Sequence, residues 1–427
     1  MSLFNWLQPL VTRALLAWEW WQSGVTYYPL AAHMYNNPYP TYAKLRTHDP
    51  IHWNILSHSW VFSRYRDVEA ILRDHARFSN DSRHRQDLPA HQSSATNPRG
   101  PSMLFLDPPD HTRLRGLVQK AFTPHAIEAL APRIRQIAAD LLDQIVDPMA
   151  FDAMEGLAAP LPVIVMAELL GVPPEDRTRF GHWSHQRARV LEPSISERER
   201  RDAVEAAQQF DAYFLGIIKQ RRAEPRDDMI SALVAAEAAG DQLTQDELLV
   251  MLRLLLVAGN ETTTNLIGNG LLALLRHPDQ LQLLRQNPSL MASAVEELLR
   301  YDSPVQVDGR TALEAVEIGG RHIQKGQGIV ALIGAANRDP EVFRHPERLD
   351  ITRREASHLA FGRGIHHCLG APLARLEARI AFEMLLERFA EIHLLTEHPP
   401  FKDNVVLRGP KALPIATSSA RTKRRAS

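Results

Sequence analysis

The sequence contains one cysteine, and its surroundings suit a reactive sulfur better than a structural one. Cys368 lies near the end of the run Phe-Gly-Arg-Gly-Ile-His-His-Cys-Leu-Gly at 361–370, just before apolar residues at helical spacing over 371–389. Backbone amides and the positive end of a helix dipole favour a thiolate at such a place. The glycines allow a tight turn and the close approach of a flat partner. The run therefore predicts a loop that presents sulfur.

Three chemistries compete with an inert buried cysteine, which is the usual fate of a lone thiol. A Cys/His hydrolase needs a base and an orienting group, but His366 and His367 are only sequence neighbours of the thiol. Zinc bound by His366, His367 and Cys368 would strain adjacent ligands and lacks a clear fourth ligand. Haem iron needs one thiolate with small residues beside it. The pattern thus favours haem, with the inert thiol as the alternative.

A second polar group interrupts a long apolar helix. Thr244 and Glu247 fit a capping box, so a helix is predicted over residues 243–275 that ends at His277-Pro278. A helix that is apolar almost all round crosses the middle of a protein.

Residues 258–263 read Ala-Gly-Asn-Glu-Thr-Thr in the midst of this helix. In one interpretation the threonine hydroxyls bond back to carbonyls one turn earlier, and Gly259 allows close packing. In the other the helix opens at Gly259, and Glu261 and Thr262 deliver protons to a bound ligand. The residues alone leave both open.

A Glu-x-x-Arg pair follows the long helix. Arg300 can pair with Glu297 at three residues or with Glu296 at four. Such pairs are usually exposed and weak. Residues 337–340 and 345–348 add turns that bear arginine.

Composition excludes several classes of protein. The chain has 427 residues, 44% of them hydrophobic and 23% charged, as in an ordinary globular protein. A net charge of -1 gives no global field for nucleic acid or an acidic membrane, and one cysteine excludes an internal disulfide. Length favours two or three domains, but the sequence has no repeat or linker that would separate them. One continuous body is expected.

The elements that position these motifs are mainly helices, for example over residues 126–146 and 200–222. A long polar loop is expected over residues 79–102. Short strands are predicted over residues 51–55, 59–63, 315–318, 328–333 and 404–407.

The first residues form a separate case, because residues 10–21 are apolar and rich in tryptophan. Arg13 and Glu19 interrupt this segment, which is too short to span a bilayer. It could lie as an amphipathic helix at a membrane interface, but packing onto the body of the protein is favoured. The tryptophans in this segment and in the residues before it are Trp6, Trp18, Trp20 and Trp21.

Taken together, the cysteine loop, the Glu297-x-x-Arg300 helix and the Ala-Gly-Asn-Glu-Thr run resemble the motifs of the cytochrome P450 family in type, order and spacing. The resemblance covers residues 35–415 and is closest in kind to soluble bacterial members. It implies a mainly α fold with small β-sheets, a triangular, helix-rich single domain enclosing haem. Residues 1–34 would be an extension, with an amphipathic helix as one form it could take, and residues 416–427 a basic, disordered tail.

The resemblance also implies roles for individual residues. Cys368 would be the axial ligand to the iron of haem b (iron protoporphyrin IX), and Glu261 and Thr262 would be catalytic in relaying protons. Glu297, Arg300 and Arg348 would form a buried structural network. The residues expected to hold the haem propionates are His111, Arg115, Arg310 and His366. The substrate pocket would be lined by Met103, Leu104, Val257, Ala258, Val305, Gln306 and Val406.

The implied activity is that of a monooxygenase, which inserts one oxygen atom from O2 into a lipophilic small molecule by hydroxylation or epoxidation. Without a flavin or dinucleotide motif, electrons would come from an external ferredoxin and its NAD(P)H-linked reductase. The alternatives are a peroxide-driven peroxygenase and a haem-binding sensor without turnover. We expect a cytoplasmic protein without a transmembrane anchor or a nucleic-acid partner. Candidate basic residues for docking the ferredoxin are Arg113, Lys120, Arg353 and Arg363.

Overall fold

Helices form most of the chain, and small sheets lie at its margins. The computed structural model describes residues 4–86, 99–119, 122–192, 195–226, 228–238 and 243–419. Among these residues the α-helices are α1 Phe4–Ser23, α2 Ala32–Asn36, α3 Tyr39–His48, α4 Tyr65–Arg73, α5 Asp110–Gln119, α6 Pro124–Glu128, α7 Ala131–Asp143, α8 Pro160–Leu169, α9 Arg177–Ala188, α10 Glu197–Ala223, α11 Met229–Ala238, α12 Gln245–Arg276, α13 Pro278–Gln286, α14 Met291–Tyr301, α15 Ile333–Ala336 and α16 Ala371–Arg388.

The strands are short and form three sheets within the described residues. The largest has the order β1-β2-β8-β5-β3, in which only β2 and β8 are parallel neighbours. A second has the order β4-β10-β9, and β6 pairs with β7. The strands are β1 Ile51–Asn54, β2 Ser59–Phe62, β3 Phe78–Ser79, β4 Ala150–Asp152, β5 Val307–Ala312, β6 Val316–Ile318, β7 Arg321–Ile323, β8 Gly328–Leu332, β9 Phe389–Leu394 and β10 Pro414–Ser419.

The central helix α12 is as predicted. The hydroxyl of Thr244 accepts the amide of Glu247, and the Glu247 carboxylate accepts the amide of Thr244, so the capping box is complete. Most of the helix is buried, and it packs against α8, α9, α14 and α16. The helix is continuous through Gly259, where a Cβ would collide with Met166. Of the two interpretations left open, the one without a helix opening is therefore correct, and Gly259 serves close packing.

Several predicted bounds were wrong for local reasons. The helix over 126–146 is divided into α6 and α7, because Pro132 starts a new helix at its second position. Residues 404–407 form no strand; only Leu407 makes a bridge, to Val305. The predicted loop over 79–102 begins with a short helical turn at Ser82–His84, and residues 87–98 lie outside the described part of the chain.

The carboxyl-terminal part is ordered further than predicted. Residues 416–419 were assigned to a disordered tail, but they belong to β10, which pairs with both β4 and β9. The inward side chains of Ile415 and Thr417 are buried, and this alternation fixes the strand on its neighbours. Residues 420–427 lie outside the described residues.

Helix α1 packs on the protein in an unusual orientation. Among the side chains of α1 that the structure describes, that of Glu19 is buried, whereas those of Trp18, Trp20 and Trp21 are exposed. No helix in the described ranges is long and apolar enough to cross a membrane.

Candidate active site

The loop before α16 holds Cys368 by its backbone. The amide of Cys368 donates to the carbonyl of Phe361 at 2.9 Å. Gly364 has a φ of +71°, and a Cβ there would come within 2.6 Å of the carbonyl oxygen of Leu72. Only glycine fits that position, since both its conformation and its space exclude a side chain. The loop therefore packs closely against α4 at Gly364, and the Cys368 sulfur lies just before the start of α16.

The Cys368 thiol is accessible and yet enclosed by protein. Cys368 is exposed, yet desolvation by the surrounding protein raises the pKa of its thiol. The amides of Gly370 and Ala371 and the charges of Arg115 and Arg375 act in the opposite direction and are outweighed. The amides at the helix start therefore favour the thiolate, as predicted, but desolvation outweighs them. A cation at the sulfur would deprotonate it, as metals do to thiols that bind them.

Next to the cysteine loop, nitrogen atoms from three elements are buried without a hydrogen-bond partner among the described residues. They are His111 Nδ1 on α5, Arg310 Nη2 on β5 and His366 Nε2 in the loop. The rings of His111 and His366 lie 4.2 Å apart between centroids. A buried donor without a partner is costly, so this cluster is suited to binding an anion.

Electrostatics support the same conclusion. Desolvation, followed by the charges of His111, Arg310 and Arg115, lowers the pKa of His366 to about 3. The other guanidinium terminus of Arg310 donates to Asp308 at 2.8 Å, which orients it. Arg115 Nη2 donates to the carbonyl of His367 at 2.7 Å. The charges that act on His366 all lower its pKa, so the surroundings of this ring favour a negatively charged partner.

The residues present fit a haem. A single accessible thiol suits one bond to iron, and the orphaned nitrogens suit carboxylate side groups such as propionates. The ring of His111 contacts that of His366, Arg115 binds the carbonyl of His367, and the charge of Arg310 acts on His366. Haem would supply redox chemistry and the activation of dioxygen.

The Glu-x-x-Arg pair lies in a buried network. Arg300 forms two hydrogen bonds with the Glu297 carboxylate, at 2.7 and 2.8 Å. It also donates to the carbonyls of Asn337, Pro346 and Arg348. The helix α14 is thereby tied to the segment that precedes the cysteine loop.

The prediction for Arg348 needs correction. Arg348 contributes only its carbonyl to this network, and its side chain is exposed. The chain turns after Arg348, so that Arg353 instead reaches Glu297, at 3.1 Å. Arg353 is thus committed to this network and is not a surface residue for docking a partner. Glu296 faces the other way and binds Arg375 on α16 at 2.6 Å.

Glu261 and Thr262 follow each other on α12 but make different contacts. Thr262 Oγ1 donates to the carbonyl of Ala258 at 2.8 Å. This is the hydrogen bond to a carbonyl one turn earlier that the first of the two interpretations predicted. Glu261 binds Lys402 at 2.6 Å and His185 at 3.1 Å. Burial would raise the pKa of Glu261, but these two partners lower it to about 2. Glu261 is therefore an ion-paired carboxylate.

The predicted pocket residues lie in three groups. Val305 neighbours Val406, since residue 305 bridges residue 407 and the amide of Gln306 donates to the Val406 carbonyl. Ala258 is exposed at the middle of a helix that is otherwise mostly buried, so it faces an internal space, and Val257 is half-buried beside it. Met103 and Leu104 form a helical turn before α5.

Gln306 departs from the prediction. Its side chain is buried, donates to the carbonyl of Ser303 at 2.7 Å and lies against Gly334. It is therefore part of a polar network and does not face the pocket.

A cavity of about 260 Å³ lies beside the cysteine loop. Its lining includes Arg363, His367 and Arg375. Of the other basic residues predicted for docking, Arg113 pairs with Glu247, and Lys120 lies outside the described residues.

Sequence reasoning missed Lys402 and His185, and it assigned Arg353 to docking instead of to the Glu297 network. Each lies far along the chain from its partner, and Arg353 and Lys402 are common residue types in turns. The only signal was charge: Glu297 and Glu261 are acids in apolar surroundings, and a buried acid requires a cation.

The fold and the site together define a haem-thiolate protein of mainly α structure. A family model described as Cytochrome P450 matches residues 185–415. Cytochrome P450 CYP107DY1 of Priestia megaterium is 44% identical over 372 residues, which cover 84% of this chain and 90% of that protein. The polyketide biosynthesis cytochrome P450 PksS of Bacillus subtilis is 42% identical and covers 92% of this chain and 98% of its own.

The solved structure of PksS superimposes with a TM-score of 0.85, covering 92% of this chain and all of that one. The chain therefore belongs to the cytochrome P450 family. It is a haem-binding monooxygenase, which confirms the predicted fold class, enzyme class and cofactor.

Proposed function

We propose that the enzyme inserts one oxygen atom from O2 into a lipophilic small molecule, by hydroxylation or epoxidation. The observation that carries this proposal is the apolar character of the residues predicted to line the pocket. Val257 and Ala258 on α12, and the neighbours Val305 and Val406, offer no charged group to a substrate. With Met103 and Leu104 they would form one pocket over the haem. The relative PksS is described as acting in polyketide biosynthesis, a class of molecule that fits such walls.

Proton delivery would come from Thr262 and Glu261. The hydroxyl of Thr262 is held by the Ala258 carbonyl, from which it can turn toward a ligand in the internal space. Glu261, beside it in sequence, would exchange protons with water from the side of His185.

Replacing Thr262 by Ala tests this relay. We expect oxygen and NAD(P)H consumption to continue while product per oxygen falls about tenfold or more. Thr263, which is buried, is the control position, and Thr263→Ser should keep coupling. Unchanged coupling in Thr262→Ala would refute the relay.

Electrons would come from a ferredoxin and its reductase. The docking face would be the surface beside the cysteine loop, where Arg363, His367 and Arg375 line the cavity of about 260 Å³. An acidic electron carrier would meet the guanidinium of Arg363 there, whereas Arg375 is paired with Glu296.

The function is tested with the haem-loaded enzyme and a library of lipophilic compounds. A substrate should displace iron-bound water and shift the haem absorption band. Turnover should then require O2, NAD(P)H, ferredoxin and reductase. Turnover with peroxide alone would identify a peroxygenase, and binding without any turnover would identify a sensor; either result would overturn the proposal.

A further inference from the structure

Helix α1 packs on the protein with a polar residue at the centre of its inward face and most of its apolar side chains outward. The side chains that face inward are half-buried or buried, namely Thr12, Leu15, Leu16, Glu19 and Ser23. Most of the side chains on the opposite side are apolar and exposed. A helix that packs by its apolar face would show the reverse pattern.

A buried polar clamp causes this orientation. Glu19 accepts the amide of Tyr27 at 2.8 Å and binds the ring of His52 at 2.7 Å. The Asn54 amide also donates to Glu19, and the other ring nitrogen of His52 binds Asp49 at 2.9 Å. Because Glu19 is only 2% exposed, these contacts fix which side of the helix faces the protein.

The outward side forms a continuous apolar stripe. At about 100° per residue, its six members fall within an arc of about 120°, whose middle lies about 140° from Glu19. All six are exposed. The members of this stripe are Leu10, Val11, Ala14, Ala17, Trp18 and Trp21.

Two observations identify the partner of this stripe as a lipid surface. Tryptophan combines an apolar ring with an N–H donor, which suits the boundary between headgroups and acyl chains. Arg13 flanks the stripe, and the only acid of residues 4–23 is Glu19, which is turned inward. The outer surface of α1 therefore carries positive charge, complementary to anionic headgroups.

The area of the stripe argues against a second protein chain. A stable interface buries about 800 Å² per partner. A stripe one helix wide, about 10 Å, and about 18 Å long covers only about 180 Å². A bilayer has no such requirement, because each ring contributes as it enters the interface.

We propose that α1 binds the surface of an anionic bilayer through this stripe, with its axis parallel to the membrane plane. The helix is held on the protein by Glu19 and does not cross the bilayer. Because this inference concerns attachment and not the reaction, it is independent of the proposed function.

The test uses the full-length haem-loaded enzyme and two kinds of vesicle, phosphatidylcholine alone and phosphatidylcholine mixed with phosphatidylglycerol. We expect sedimentation with the anionic vesicles and a blue shift of tryptophan emission. Trp21 and Trp20 are a matched pair, exposed by 74% and 61%, but only Trp21 belongs to the stripe. Trp21→Ser should weaken vesicle binding about tenfold, and Trp20→Ser less than about twofold.

Arg13→Gln should reduce binding to anionic vesicles to the level of neutral ones. Both tryptophan positions are exposed, and an unchanged haem spectrum verifies the fold of each variant. Failure of the unaltered enzyme to bind either vesicle would overturn the proposal, as would equal losses in the two tryptophan variants. Concentration-dependent dimers that Trp21→Ser abolishes without lipid would assign the stripe to a second copy instead.

Discussion

At the scale of single residues, the site is organised by charges that the protein itself leaves unbalanced. Burial raises the pKa of the Cys368 thiol and lowers that of His366 to about 3. Both shifts disfavour charge, and His111 Nδ1 and Arg310 Nη2 have no hydrogen-bond partner among the residues that the structure describes. A metal cation at the sulfur and carboxylates at the nitrogens would compensate each of these groups.

Glu261 differs because its partners are already present. Lys402 and His185 hold its pKa near 2 against the effect of burial. A carboxyl with a depressed pKa contributes stability above its ordinary pKa, and this contribution is lost as the pH falls through the depressed value. Near neutral pH the group is therefore fully ionised.

Replacing Lys402 by Met should raise the pKa of Glu261, because burial then acts with less opposition. The acid limb of the pH profile of coupled turnover should move to higher pH by about one unit or more. The measurement is product formed per NAD(P)H across pH. Lys411 is exposed, so Lys411→Met should leave the profile unchanged, and equal profiles in both variants would contradict a role for Glu261.

At the scale of elements, α14 and α16 position the cysteine loop through buried ion pairs. Glu297 binds Arg300 on its own helix and Arg353 on the segment that precedes the cysteine loop. Glu296 binds Arg375 on α16. Adjacent acids on one helix thus tie it to two different parts of the chain.

Arg353→Met should lower the free energy of unfolding by about 1.5–3 kcal/mol, because charged hydrogen bonds to buried Glu297 are lost. Haem should also dissociate faster. Denaturant unfolding of the haem-loaded enzyme and transfer of haem to an acceptor protein measure the two effects. Arg348→Met is the matched control and should stay within about 0.5 kcal/mol, since its side chain is exposed. The opposite ranking of the two variants would refute this network.

The clamp on α1 predicts a pH dependence of its docking. Burial on its own would lower the pKa of His52, but hydrogen bonds with Asp49 and Glu19 outweigh it and raise the pKa. Docking should therefore be strongest below the ordinary histidine pKa of 6.5 and should weaken as the pH rises through the higher folded value.

Hydrogen exchange of the amides of α1, corrected for the intrinsic effect of pH, should show greater protection at pH 6 than at pH 9. His52→Gln should remove this difference. His48, which is exposed at the end of α3, provides the control variant His48→Gln. A pH effect that survives His52→Gln would show that another group controls α1.

At the scale of the whole molecule, the two ends of the described chain are both tied to its body. Strand β10 pairs with β9 and with β4, whose residues lie more than 250 positions earlier. Ile415 on this central strand is fully buried in the main core. Because β10 is the middle strand of this three-stranded sheet, the sheet can form only when residues 414–419 are paired.

Ile415→Ala should lower the free energy of unfolding by about 2–5 kcal/mol, through lost burial and the cavity that remains. Ser418→Ala on the same strand, at a half-buried position, should change it by less than about 0.5 kcal/mol. Denaturant midpoints at constant haem loading measure both. Equal midpoints would show that β10 is not part of the cooperative unit.

Local patterns were enough to predict much of this protein. The capping box of Thr244 and Glu247 predicted the start of α12 within two residues, because both partners lie within one turn. The glycines and helix start around Cys368 predicted a loop that presents sulfur, because backbone conformation depends on neighbouring residues. The order of the three motifs predicted the cytochrome P450 family, and the family comparisons confirm it.

Only the tertiary structure determined which groups meet and what their charges become. Arg353 rather than Arg348 reaches Glu297. The chain turns between the two arginines, so that the side chain of Arg353 points inward and that of Arg348 outward. The pKa of Cys368 is raised, because enclosure by distant segments outweighs the local helix start. Trp18, Trp20 and Trp21 of α1 face outward because Glu19 meets His52, a contact between elements that no local pattern encodes. Sequence spacing determines local conformation, whereas burial and long-range pairing depend on the whole fold.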